Sequence, residues 1–172
     1  MDILILCGTA PFIDFDIVKL KSMFNKDDKV NGHLMAVGLD AFKRPVPWKY
    51  VVTGHFEDFE FISKYAGLHK QKDYLLIHQQ PQVGVDIVIP LEEWEGGSSA
   101  LMGVMAGLRI GYKKIVLCGC PMEGANPNHP GADYSMFQSK WVEKREELFN
   151  VRSMSGFTAD LLGEPTREWL LE

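Results

Sequence analysis

Residues 99–119, SALMGVMAGLRIGYKKIVLCG, decide the fold class of this chain. Apolar side chains recur at helical spacing from Ser99 onward, and Gly111 is a typical residue for ending such a helix. A continuous apolar run follows at 114–118, which is typical of a strand buried on both faces of a parallel sheet. A helix that leads directly into such a strand indicates an α/β crossover connection.

The same kind of apolar run recurs upstream. Five further short runs occupy residues 3–7, 33–37, 50–53, 74–78 and 85–89. A short strand is also expected near Val151, before a closing helix. We therefore predict an α/β fold, a Rossmann-like three-layer sandwich with a mostly parallel sheet, in one domain spanning residues 1–172.

Helical spacing appears between these runs. Ile17, Leu20 and Phe24 mark one helix face, and either Asp14 or Asp16 is expected as its N-cap. A second helix is predicted after the third apolar run, and a third one around the tryptophan at position 141.

Composition and charge exclude several classes of protein. The chain has 172 residues, of which 46% are hydrophobic and 24% charged, which excludes a disordered chain. A net charge of -5 argues against a dedicated duplex-DNA binder, so no nucleic-acid partner is expected. The N-terminus lacks a basic segment, and the longest apolar stretch, 98–110, is shorter than the ~20 residues of a membrane span. We expect a cytoplasmic protein with no membrane span.

Three cysteines, Cys7, Cys118 and Cys120, stand at the ends of apolar runs. Their odd number does not fit a disulfide framework, and the spacing of the last two does not fit a zinc site. We predict buried free thiols and assign no metal.

The sequence contains two glycine-containing turns that border predicted helices. One lies between a predicted strand and a predicted helix, and the other opens a predicted helix. The first comprises Gly8, Thr9, Ala10 and a proline, and the second comprises Gly97, Ser98, Ser99 and their neighbours. Such turns let backbone N–H groups approach a phosphate at a helix N-terminus. The alternatives are a tight strand-to-helix turn for the first and a serine N-cap for the second.

The segment 120–134 has no periodicity and contains three prolines and two glycines. It follows a strand, so it lies where open α/β sheets bind ligands, although a plain surface loop is the alternative. His129 in this segment has the chemistry of a general base, or is an exposed bystander. Glu123 and Asp133 are candidates to orient it or to bind a metal, but one histidine with scattered carboxylates is no metal signature.

Outside these segments, Arg152 follows the start of the last strand. It could pair with a diphosphate or carboxylate, although a surface arginine is the alternative. The four tryptophans are scattered along the chain, which is typical of packing or of an interface, and a homo-oligomer stays open.

Two blocks of the sequence resemble one group of enzymes. Residues 3–16 and 97–119 resemble the bacterial sialyltransferases that use CMP-sialic acid and the related archaeal hydroxymethylpterin diphosphokinase-like proteins. In that group the first strand is followed by Gly-Asn-Gly-Pro-Ser-Leu. Here Gly8 and Pro11 match, whereas other residues replace the asparagine, the second glycine and the serine.

The resemblance implies a CMP-type nucleotide held between the two turns. Gly8 and Thr9 would lie near its phosphate, Ser98 and Ser99 near the phosphate or ribose, and Gly119 beside the base or sugar. Thr53 and Gly54 would add a polar contact from another strand end.

The sialyltransferases also use a histidine base and tyrosines at the phosphate, and His129 and Tyr134 occupy a comparable loop. The chain is shorter than those transferases, which leaves the segment 120–134 for acceptor recognition. Three functions follow: a glycosyltransferase-like enzyme with a CMP-sugar donor, a non-catalytic nucleotide-binding or phage-associated accessory module, and a diphosphokinase.

Overall fold

The computed structural model describes residues 2–71, 73–124 and 133–172. These residues form a seven-stranded sheet in the order β5-β4-β3-β2-β1-β6-β7. The strands are β1 (Asp2–Cys7), β2 (Asn31–Val37), β3 (Tyr50–Val52), β4 (Leu75–His78), β5 (Ile87–Val88), β6 (Lys114–Cys118) and β7 (Val151–Ser153). Each neighbouring pair is parallel, and each predicted apolar run contains one strand, so the predicted parallel sheet is confirmed.

Helices cover both faces of the sheet. The α-helices in the described ranges are α1 (Ile13–Ser22), α2 (Gly38–Phe42), α3 (Asp58–His69), α4 (Leu91–Trp94), α5 (Ser99–Ile110), α6 (Ser135–Glu143), α7 (Gly156–Leu162) and α8 (Arg167–Leu171). A short 3₁₀ helix, Arg145–Leu148, follows α6. Helices α1, α2, α3 and α8 pack on one face, and α4 to α7 pack on the other. The three-layer Rossmann-like architecture is thereby confirmed.

Helix α5 packs tightly on the sheet because two of its residues there have no side chain. A Cβ atom on Gly103 would lie 2.9 Å from Leu6 Cδ2, and one on Gly107 would lie 2.5 Å from Leu4 Cδ2. The helix begins after Ser98, whose hydroxyl accepts the N–H of Leu101, and it ends at Gly111 as predicted. The sequence-based interpretation of this segment is therefore confirmed.

Helix α1 differs from its prediction at the N-terminus. It begins at Ile13, so Phe12 holds the N-cap position and its side chain makes no capping hydrogen bond. Asp14 and Asp16 both lie inside the first turn, where a carboxylate is favoured by the helix dipole. The prediction that one of them caps the helix was wrong, because first-turn acids and N-cap acids share the same sequence signal.

The three cysteines are buried and free. Burial raises the pKa of Cys7 to about 12, and burial likewise raises the pKa of Cys118 and of Cys120. Protonated thiols of this kind are inert packing groups, which confirms the prediction. Across the described part of the chain, no helix is long and apolar enough to cross a membrane.

Candidate functional site

A cleft of about 710 Å³ opens at the carboxyl end of the sheet. It lies where the strand order reverses, because β2 to β5 extend to one side of β1 whereas β6 and β7 extend to the other. Gly8 directly follows β1 and Gly119 directly follows β6, and both line the cleft. Open α/β sheets bind ligands at this kind of switch point, so the cleft is the candidate site.

Most of the residues proposed from the sequence meet here. The cleft is lined by seven of them, namely Gly8, Thr9, Ala10, Ser98, Ser99, Gly119 and Tyr134. Thr53 and Gly54 lie just behind the lining, because the Gly54 N–H donates to Ser99 Oγ at 3.1 Å. The Thr53 hydroxyl is buried and donates to Asp58 at 2.7 Å, so it supports the wall. Gly97 makes room for Leu101, which a Cβ would approach to 2.5 Å.

One proposed residue, Arg152, does not line the cleft in the described part of the chain. The guanidinium of Arg152 donates to the carbonyl oxygens of Phe149 and Val151, at 3.1 and 2.9 Å. It also stacks on the ring of Trp169 at 5.2 Å, and it is not among the described residues that line the cleft. His129 lies outside the described residues.

The floor of the cleft is a close contact between two backbones. The Gly8 N–H donates to the carbonyl oxygen of Cys118 at 2.8 Å, and the Ala10 N–H donates to that of Gly119 at 3.2 Å. A methyl group on Gly8 would overlap Gly119 O and lie 2.7 Å from Cys120 Sγ. Two N–H groups of the first glycine turn therefore donate to Cys118, the last residue of β6, and to Gly119, which follows it. These two N–H groups are not available to a phosphate.

The N-terminus of α5 has a hydroxyl donor that bonds to no acceptor in the described part of the chain. Ser98 caps the helix, and no acidic residue lies in the first turn. Ser99 Oγ accepts the Gly54 N–H, and its own O–H has no acceptor among the described residues. Helix N-termini carry a positive partial charge. This end of the cleft can therefore hold an anion by a hydroxyl and by the helix dipole.

Charged groups in the cleft are almost all acidic. Carboxylates line it from several elements, at Asp40, Glu57, Asp58, Glu123 and Asp133. The described lining contains no lysine or arginine, and the sequence of segment 120–134 contains none either. The N–H of Ser135 holds the pKa of Asp133 below its usual value. An anionic ligand would therefore meet no lysine or arginine in the described lining of the cleft.

Sequence reasoning missed two parts of the site. The first is the end of β2 and the start of α2, from Val37 to Asp40, which line the cleft. The glycine at position 38, placed directly after an apolar run, is the signal that could have identified it. The second is Asp16, which is 1% exposed and bonded to Gly119, and which was interpreted only as a possible helix cap.

Comparisons with known proteins give a fold but no family. No protein-family model matches the chain, and no curated protein matches it. A solved structure of the sialyltransferase CstII from Campylobacter jejuni with cytidine-5'-monophosphate matches with a TM-score of 0.61 at 10% identity, covering 97% of this chain and 87% of that one. The CstII structure with CMP-3FNeuAc matches with a TM-score of 0.59 at 11% identity, covering 97% and 88%. This chain therefore shares the fold of a sialyltransferase.

Proposed function

We propose that the protein binds a nucleotide or nucleotide-sugar, of CMP type, in the cleft between β1 and β6, and acts on it as a glycosyltransferase-like enzyme. The observation that carries this proposal is the hydroxyl of Ser99, which donates to no described residue and lies at the N-terminus of α5, inside a switch-point cleft. The fold shared with a sialyltransferase that was solved with CMP supports the choice of nucleotide.

The phosphate is proposed to lie at α5 rather than at α1. The first turn of α1 already contains Asp14 and Asp16, whose charges offset its dipole. The N–H groups of Gly8 and Ala10 donate to Cys118 and Gly119, whereas the O–H of Ser99 donates to none of the described residues. Gly8, Thr9 and Gly119 then serve as a shaped surface for the rest of the ligand.

A ligand with a single phosphate fits the charges better than a triphosphate. The lining carries five carboxylates, and its described part holds no lysine or arginine. Each further phosphate charge would add repulsion in a partly dehydrated cleft. A CMP-type ligand therefore fits the cleft better than the ATP that a diphosphokinase needs, so the diphosphokinase is the weakest of the three candidates.

Catalysis would come from positioning and from stabilising the departing nucleotide phosphate. Tyr134, at the cleft wall beside Phe137, is proposed to hydrogen-bond this phosphate. His129 is proposed as the base that accepts a proton from the acceptor hydroxyl.

Binding is tested by thermal shift with CMP, CDP, UDP and ATP, each with and without magnesium. At a hundredfold excess over Kd, a ligand stabilises the protein by about 2.7 kcal/mol, or about 5–10 °C in Tm. CMP is expected to give the largest shift, and Ser99→Trp is expected to abolish it. Ser139→Ala, an exposed hydroxyl that bonds only within α6, is the matched control. Absence of a shift with every nucleotide would refute the proposed ligand class.

Turnover separates an enzyme from the second candidate, a non-catalytic accessory module. The altered first turn, in which Thr9, Ala10 and Phe12 replace the residues of the sialyltransferase pattern, favours that module. Release of CMP from a CMP-sugar is measured for the wild type, His129→Ala and Tyr134→Phe. An enzyme loses release in His129→Ala while CMP binding is unchanged. A wild type that binds CMP but never releases it from a CMP-sugar is the module.

A further inference from the structure

One buried acid lies directly beneath the floor of the cleft. Asp16, in the first turn of α1, is 1% exposed to solvent. Its Oδ2 accepts the N–H of Gly119 at 2.7 Å and the hydroxyl of Ser155 at 2.9 Å. A buried carboxylate is costly unless donors satisfy it, and here both donors come from the ends of other strands. Asp16 thus joins α1 to the exits of β6 and β7.

The bond to Gly119 determines where the floor lies. Gly119 has a φ of +64°, and a Cβ there would lie 2.7 Å from Ile13 Cβ, so only glycine allows this close approach of the β6 exit to α1. Its N–H is held by Asp16, and its carbonyl oxygen accepts the N–H of Ala10. The Asp16 carboxylate therefore fixes the position of Gly119, directly after β6. Gly119 in turn fixes the first glycine turn through its bond to Ala10.

The contact through Ser155 holds the next residues from the other side. Thr158, in α7, donates its hydroxyl to the carbonyl oxygen of Cys120 at 2.8 Å. The Thr158 N–H points to the carbonyl oxygen of Pro121 at 3.4 Å. Because Ser155 precedes α7 and bonds to Asp16, the same carboxylate also positions the helix that supports Cys120 and Pro121.

We infer that Asp16 is a positioning residue for the ligand cleft: its carboxylate, bonded to Gly119 and Ser155, sets the path of residues 119–121 and so the shape of the nucleotide site. This inference rests on the proposed function for its ligand. Asp16 itself is not among the described residues that line the cleft, so it acts through the backbone of Gly119.

Geometry and charge are separated by three substitutions. Asp16→Asn keeps the length and one oxygen acceptor, Asp16→Glu keeps the charge but changes the length, and Asp16→Ala removes the acceptor. CMP affinity, measured by calorimetry well below each Tm, is expected to stay within about threefold in Asp16→Asn. It is expected to fall by about tenfold or more in Asp16→Glu and Asp16→Ala, because small displacements of positioned groups are costly. If Asp16→Ala does not fold, the difference in CMP affinity between Asp16→Asn and Asp16→Glu tests the inference.

A control variant measures what a loss of stability alone does. Tyr50→Phe removes a buried hydrogen bond, 3.2 Å long, between Tyr50 and Tyr112, and it lies at the opposite end of the sheet. Its CMP affinity is expected to stay within about twofold of the wild type. Equal affinity in the wild type and Asp16→Glu would overturn the inference.

A second readout needs no ligand. The amide shifts of Gly119 and Ala10 in the nucleotide-free protein are expected to move in Asp16→Glu and to stay fixed in Tyr50→Phe. Unmoved amides would overturn the inference even if CMP binds. A wild type that binds no nucleotide would instead refute the proposed function, while the amide shifts would still decide whether Asp16 holds this segment.

Discussion

Replacing Gly8 with alanine tests whether the floor of the cleft depends on direct contact between two backbones. The added methyl would overlap the carbonyl oxygen of Gly119 and lie 2.9 Å from its carbonyl carbon. These are backbone atoms in a paired strand exit, so they cannot rotate away as a side chain would. We expect β1 and β6 to separate at their carboxyl ends.

The size of the effect follows from two contributions. Overpacking a close contact costs about 1–3 kcal/mol. Two hydrogen bonds hold these backbones together, from Gly8 to Cys118 and from Ala10 to Gly119. The loss of each one costs about 1 kcal/mol. We expect a total destabilisation of about 3–5 kcal/mol, which lowers Tm by about 6–20 °C in a chain of this length.

Thermal unfolding followed by circular dichroism measures this change, with urea unfolding as the second method. Gly67→Ala is the matched control, because Gly67 lies in α3 with no atom within 4 Å of the added Cβ. Helix propensity predicts that this control gains about 0.5–1 kcal/mol. A Gly8→Ala protein that melts within about 2 °C of the wild type would refute the reasoning.

Three further expectations concern other parts of the molecule. Burial raises the pKa of Cys7 from 9.0 to about 12, so folding favours the neutral thiol; its stabilisation is complete below pH 9 and is lost as the pH rises toward 12. Urea unfolding under reducing conditions at pH 8 to 10.5 is expected to show this decline, and Cys7→Ala to show a smaller one. Gly156→Ala places a methyl against the Cβ of Pro121 at a φ of +69°, and we expect a loss of about 2 kcal/mol or more in the same assay. Glu95→Gln removes the exposed ion pairs with Lys140 and Lys144, and a clear shift of the urea midpoint would contradict the expected small effect.

The strands and long helices could be predicted because each carries its own local signal. The run 114–118 is apolar at every position after Lys114, as a strand buried on both faces requires. Helix α5 has a serine cap, a glycine stop and apolar spacing between them. Helices α2 and α4 were not predicted, because five and four residues are too few to show a period.

Only those parts of the site that lie within one short segment of the sequence could be predicted. The two glycine turns were identifiable because glycines after a strand or before a helix mark close approach. Asp16 was not, because its partners Gly119 and Ser155 lie 103 and 139 residues away in the chain. No pattern in the residues around position 16 shows that a carboxylate there faces two other strand ends.

The position of β1 in the sheet governs the order in which the protein can assemble. β1 pairs with β2 from Asp2 and Asn31 onward, but its other neighbour begins at Lys114. During synthesis, the side of β1 that faces β6 therefore stays unpaired until β6 has emerged. Exposed apolar strand edges of this kind are sites of aggregation. Pairing of such distant segments is also slow, because a long loop must close first. We therefore expect fragments that end before residue 118 to associate through β1, so the candidate cleft is completed only late in folding.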